Sequence, residues 1–159
     1  MKKQQIWLSA LTHTAQGISA ATFPLGISYV LSYAKQELGS EFDFKMFKFP
    51  SHLDEALRKQ FPAVLCFSNY SWNLELAYKF ASLAKGCDPN IVTVFGGPNF
   101  PTTPEEKLAF FLKYPDIDFY VELEGELGFV DLMKKLAIHN LNGSALKDGG
   151  EVALNTSYM

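Results

Sequence analysis

At 159 residues the chain has room for one domain, and 48% hydrophobic against 19% charged residues excludes a disordered segment. Fourteen Lys and Arg against seventeen Asp and Glu leave a net charge of −3, which argues against a nucleic-acid module built on a basic surface. Two cysteines, Cys66 and Cys87, are too few for a disulfide scaffold or a four-thiolate metal site. The apolar run after the charged N-terminus is only Ile6, Trp7 and Leu8 before Ser9, too short for a signal peptide. No stretch approaches the roughly 18 apolar residues of a spanning helix. The expectation is a soluble cytoplasmic protein with no membrane or nucleic-acid partner.

Strand and helix patterns alternate five times. Gln5 to Leu11 reads as a first, largely apolar strand. Pro24 opens a helix at its first turn, with Ile27, Val30, Leu31, Ala34 and Leu38 on one face and Gly39 ending it. Phe42 to Phe49 alternates apolar and polar residues, as an edge strand should. Ser51 with Asp54 three residues on suggests a capping box for a short helix carrying Leu53, Ala56, Leu57 and Phe61. Ala63 to Phe67 is unbroken apolar sequence, which suits a strand buried on both faces. A third helix spans Leu74 to Lys85 and stops at Gly86, and Ile91 to Phe95 is the fourth strand. Thr103, Pro104 and Glu106 supply an N-cap, a first-turn proline and a capping acid for a fourth helix. Ile117 to Leu123 alternates as the fifth strand, and Leu127 to His139 forms the last helix.

Strands separated by helices imply a parallel sheet with right-handed crossovers. Polar alternation at the second and fifth strands puts them at the edges. The expected fold is therefore α/β, a doubly wound, flavodoxin-like (Rossmann-like) five-stranded sheet of order 2-1-3-4-5. Residues 1–140 make this domain. Residues 141–159 read as a linker containing a small β-hairpin, with Asp148-Gly149-Gly150 as its turn.

In such a sheet ligands bind beyond the carboxyl ends of the strands. The polar and glycine clusters gather there. They are Thr12, His13, Thr14, Gln16 and Gly17 after the first strand; Ser68, Asn69, Tyr70 and Trp72 after the third; Gly96, Gly97 and Pro98 after the fourth; and Glu124, Gly125 and Glu126 after the fifth. Each has a plainer reading. Gly96-Gly97-Pro98 can be only a turn. Ser68 and Asn69 can cap the third helix. Glu124 and Glu126 can serve the positive end of the last one. A lone histidine such as His13 is more often a loop hydrogen-bonder than a metal ligand. No phosphate-binding glycine loop, no acidic magnesium cluster and no nucleophile elbow is present, so no catalytic residue is assigned.

The segments Trp7 to Gly17 (WLSALTHTAQG), Val94 to Glu106 (VFGGPNFPTTPEE) and Pro115 to Leu136 (PDIDFYVELEGELGFVDLMKKL) together resemble the N-terminal cobalamin-binding domain of B12-dependent radical S-adenosylmethionine enzymes. The resemblance covers about residues 5 to 140 and rests on the order and spacing of these segments. It implies a corrinoid lying flat over the carboxyl rim with its nucleotide tail in a groove of the domain. By position, Ser68 would lie near the benzimidazole, and Gly96 and Gly97 would let the tail pass the backbone. Thr12, Thr14 and Gln16 would face the corrin, with Tyr70 and Trp72 walling it. The broader cobalamin fold often carries DxHxxG after its first strand, the histidine ligating cobalt. Here Leu11 replaces the Asp and Gln16 replaces the Gly, so His13 lacks an orienting carboxylate and no protein metal ligand is expected. The chain also lacks the CxxxCxxC loop for a [4Fe–4S] cluster. The cluster and S-adenosylmethionine would then belong to a radical barrel outside these residues, and the expectation is a non-catalytic fragment of a longer enzyme, with a stand-alone relic of one as the alternative. The competing expectation is a cofactor-free interaction domain on the same fold, using Phe23, Tyr70 and Phe100 as partner contacts.

Overall fold

The computed structural model describes residues 3–12, 22–138 and 142–143. Its elements are β1 (Gln4–Ser9), α1 (Leu25–Leu38), β2 (Phe42–Phe47), α2 (Pro50–Leu57), β3 (Val64–Ser68), α3 (Leu74–Cys87), β4 (Val92–Gly96), α4 (Pro104–Lys113), β5 (Phe119–Val121) and α5 (Gly125–Ile138). All four strand pairings are parallel and the order is β2-β1-β3-β4-β5. The flavodoxin-like expectation is met. The expected C-terminal hairpin lies outside the described residues. No described helix is long and apolar enough to cross a membrane.

Successive residues of a strand point to opposite faces, and that alternation divides the core in two. Ile6, Leu8, Val64, Cys66, Val92 and Val94 pack under α1 and α5. Trp7, Leu65, Phe67, Phe95 and Tyr120 pack against α2, α3 and α4. On α3 the contact stripe is Ala77, Ala81 and Ala84, all fully buried, and these small side chains let the helix lie close to the sheet.

Local signals at the helix ends held in part. Thr103 Oγ1 accepts from Glu106 N at 3.3 Å, the cap read for α4. Elsewhere proline outweighs the side-chain cap. Pro50 occupies the first turn of α2 and Phe49 precedes it with no side-chain cap, so Ser51 already lies inside the helix and forms no capping box with Asp54. Pro24 is the residue before α1 rather than its first helical residue. Gly39 ends that helix in a right-handed conformation (φ −64°). A Cβ there would collide with the Lys35 carbonyl, so close approach rather than left-handed backbone calls for glycine. Gly86 does not stop α3, which runs on to Cys87.

The edge of the sheet away from the rim is fastened by a buried ion pair. Lys85 in the last turn of α3 meets Asp118, just before β5, at 2.7 Å, with the two side chains 2% and 7% exposed. The Thr93 amide donates to the same carboxylate at 2.8 Å. Removing one partner leaves a buried charge uncompensated, which costs far more than the pair contributes. Lys85→Met should therefore lower the unfolding free energy by about 3 kcal/mol or more in urea titrations.

Candidate functional site

On the α1/α5 face the inward residues shrink toward the carboxyl ends of the strands. Along β3 they run Val64, Cys66, Ser68, and along β4 they run Val92, Val94, Gly96, with Ser68 and Gly96 side by side in register. A third large apolar residue on each strand would carry the core out to the rim. A hydroxymethyl and a bare backbone stand there instead. The helices above repeat the economy, with Gly26 in the first turn of α1 and Gly125 at the start of α5. The result is a groove of about 210 Å³ between sheet and helices. Leu8, Cys66 and Val94 form its floor; Ile27 and Val30 of α1 and Phe129 of α5 form its walls. Its size falls below the roughly 300–1,000 Å³ of pockets for drug-sized ligands, so it suits one small ring system rather than a macrocycle.

Ser68 Oγ is buried and has no hydrogen-bond partner among the described residues. A buried hydroxyl without a partner costs stability, and it lies in the groove. A Cβ at Gly96 would come to 3.3 Å from the Val121 carbonyl, and any larger side chain would follow the strand alternation into the groove. Cys66 borders the same space, and its burial pushes the thiol well above its ordinary pKa, so it is a neutral apolar lining group.

Behind the groove the loops after β3 and β4 are stitched together. Asn69 is fully buried; its Nδ2 donates to the Asn99 carbonyl at 2.7 Å and to the Tyr120 hydroxyl at 3.1 Å, and its amide donates to the Gly96 carbonyl at 2.6 Å. Asn99 Nδ2 returns a bond to Asn69 Oδ1 at 3.1 Å, and Tyr120 donates to the Gly97 carbonyl at 2.8 Å. Gly97 has φ +124°, and a Cβ there would lie 2.6 Å from the Asn69 carbonyl oxygen. Its glycine is demanded by this junction. Asn73, rather than Ser68 or Asn69, occupies the N-cap position of α3. Its Oδ1 accepts from the Tyr70 amide at 2.8 Å and its Nδ2 donates to the Leu11 carbonyl at 3.3 Å, tying this loop to the end of β1.

Of the residues singled out from sequence, Ser68, Tyr70, Gly96, Gly97, Gly125 and Glu126 line the groove. Thr12 is nearly buried at the end of β1, and Asn69 belongs to the network behind. Trp72, 62% exposed, stacks on Tyr70 with ring centroids 4.6 Å apart and planes 8° from parallel. Pro98 and Glu124 are exposed outside the groove, and His13, Thr14, Gln16 and Gly17 lie outside the described residues. The sequence reading missed Gly26, Ile27, Val30, Phe129 and Leu123. The helix-face residues looked like ordinary core. Leu123 enters the lining through a left-handed turn (φ 58°) between β5 and α5, which its sequence does not announce.

The sequence matches the B12 binding domain family over residues 14–133. The chain belongs to that family. It is 33% identical over 129 residues to 2-(S-pantetheinyl)-carbapenam-3-carboxylate methyltransferase of Streptantibioticus cattleyicolor, covering 77% of this chain and 18% of that protein. It is 40% identical over 72 residues to the cobalamin-dependent radical SAM methyltransferase TokK of Streptomyces tokunonensis, covering 45% of this chain and 10% of that protein. The chain thus spans less than a fifth of either relative. Among solved structures, the cobalamin-dependent S-adenosylmethionine radical enzyme OxsB, with aqua-cobalamin and S-adenosylmethionine bound, superposes with a TM-score of 0.63 at 17% identity. That match covers 86% of this chain and 19% of OxsB, and it establishes likeness of fold.

Two substitutions separate the frame from the groove. Gly97→Ala forces a strained backbone against Asn69 and should cost about 2 kcal/mol in urea unfolding. Ser68→Ala removes an unpartnered hydroxyl, so the ligand-free chain should unfold at the same denaturant midpoint or gain up to about 1 kcal/mol.

Proposed function

We propose that this chain binds cobalamin and serves as the corrinoid module of a longer radical S-adenosylmethionine enzyme. The observation that carries the reading is the groove, largely apolar, sized for one small ring system, and lined by a buried hydroxyl without a partner. The base of a nucleotide tail fits that description. The Ser68 hydroxyl would donate to its free ring nitrogen, while Gly96 and Gly97 leave the tail room to pass. The corrin would lie over the rim, bordered by Tyr70 and Trp72 and by the loop holding Thr12, His13, Thr14, Gln16 and Gly17, with Pro98, Glu124, Gly125 and Glu126 along the far side. Its wide apolar faces suit the stacked aromatic pair.

No side chain is assigned to cobalt. Leu11, which stands where an orienting acid would be needed for His13, is 2% exposed and packed in the α2–α4 core. Bound cobalamin supplies a carrier for a methyl or related group. The [4Fe–4S] cluster and S-adenosylmethionine would sit in a separate barrel, with residues 1–140 as the module and 141–159 leading toward that barrel. Coverage of less than a fifth of the relatives supports this division.

A cofactor-free interaction domain is the weaker reading, because the groove is not filled by the aromatics that such a role would use. Phe100 stacks on Tyr120 at 3.8 Å, with the core of the opposite face, and of Phe23, Tyr70 and Phe100 only Tyr70 borders the groove.

Titration with hydroxocobalamin, followed by desalting and a visible spectrum, tests the proposal. The expected result is one equivalent retained with a base-off spectrum that His13→Ala leaves unchanged. Gly26→Leu places a side chain in the groove with only the Tyr70 hydroxyl within 4 Å of its Cβ, at 3.8 Å. It should weaken retention at least about tenfold without unfolding the chain. A wild-type chain that retains no corrinoid would defeat the reading.

A further inference from the structure

We infer that this chain forms a reversible dimer through α4, the α4 helices of two copies packing antiparallel. α4 lies on the sheet face opposite the groove, and Phe110 and Tyr114 sink its inner side into the α2–α4 core. A surface helix ordinarily turns charged and polar residues outward. Here Leu108 and Leu112, four residues apart and so on one side of the helix, are 62% and 73% exposed. Neither lines the groove, so ligand binding gives no reason for them.

The outer surface of α4 is complementary to itself. Leu108 and Leu112 occupy one flank. Glu106 and Lys113 occupy the other, bordering the shallow trough toward Leu74 of α3, and exposed Ala109 stands between the flanks. Charge is also divided along the axis, with Glu105 and Glu106 in the first turn and Lys113 in the last. Lys107, the other cation of the helix, is already held by Glu122 at 2.7 Å.

A two-fold axis perpendicular to the helix and level with Ala109 turns the second copy end for end and keeps each flank facing its own kind. Leu108 then meets Leu112 of the second copy, and Leu112 meets its Leu108. On the other flank Glu106 meets Lys113 of the second copy, and the same pair forms again at the far end. The small Ala109 side chain lets the two backbones approach where they cross. A parallel pairing would instead set acid beside acid and Lys113 beside Lys113, and would align the helix dipoles unfavourably. One chain thus carries both halves of the contact, and the arrangement leaves both grooves open. A contact of one helix a side belongs to the small, weak class of interfaces, so association depends on concentration.

Sedimentation velocity of the purified chain, over about a hundredfold range of concentration, tests this. The expected result is a monomer that shifts to a dimer as concentration rises. Leu112→Asp should weaken association at least about tenfold. Because the side chain is exposed, its urea midpoint and its retention of hydroxocobalamin should match the wild type. Glu106→Lys and Lys113→Glu should each weaken the dimer about threefold or more at low salt, since each sets like charges opposite one another at both ends. The two substitutions in one chain restore opposite charges and should recover wild-type association to within about twofold. A chain that stays monomeric throughout overturns the inference, as does a dimer that Leu112→Asp leaves intact. A double variant no better than the single ones overturns the antiparallel arrangement.

Discussion

The feature on which the rest depends is the loss of side-chain volume on one face of the sheet at its carboxyl end. A parallel strand buried on both faces must fill two cores at once, and its alternation commits every second residue to each. On the α2–α4 face Phe67 and Phe95 keep that commitment out to the rim and meet at 5.1 Å. On the other face Ser68 and Gly96 abandon it, while Gly26 and Gly125 withhold side chains from the helices above. The groove is the volume four small residues decline to fill.

Such a gap forfeits packing, and the structure offsets the loss around it rather than within it. Asn69, Asn99, Tyr120 and Gly97 lock the loops after β3 and β4 through bonds of 2.7–3.1 Å, anchored on the buried Asn69 and Tyr120 side chains. Burial raises the affinity of the Tyr120 hydroxyl for its proton, so it keeps its donor role at any ordinary pH. At the amino end of the same strands Lys85 and Asp118 pin α3 to the start of β5. A rigid frame with one unpartnered hydroxyl at its centre holds its binding geometry before a ligand arrives.

Much of the frame was legible in the residues. The apolar runs of β3 and β4 and the polar alternation of β2 placed centre and edges correctly, because burial on two faces leaves an unmistakable composition. The loops that border the groove were legible as clusters of Ser, Gly and Glu. Helix starts were read less well, since a proline such as Pro50 fixes the backbone one residue before the serine that looked like a cap. Asn69 looked like a cap or a ligand contact. Its actual partners, Asn99 and Tyr120, are thirty and fifty-one residues away.

The doubly wound sheet, its strand order and the rim on which polar residues collect are readable from residue patterns, because strand and helix periods and the apolar composition of central strands are local features. Only the tertiary structure decided which of those residues share a cavity. Ser68 and Gly96 become neighbours through strand register, and Gly26, Val30 and Phe129 join them through helices that cross the same face. A pattern of large residues shows where a core must be. The place where a core is left unfilled appears only when elements distant in sequence are brought together.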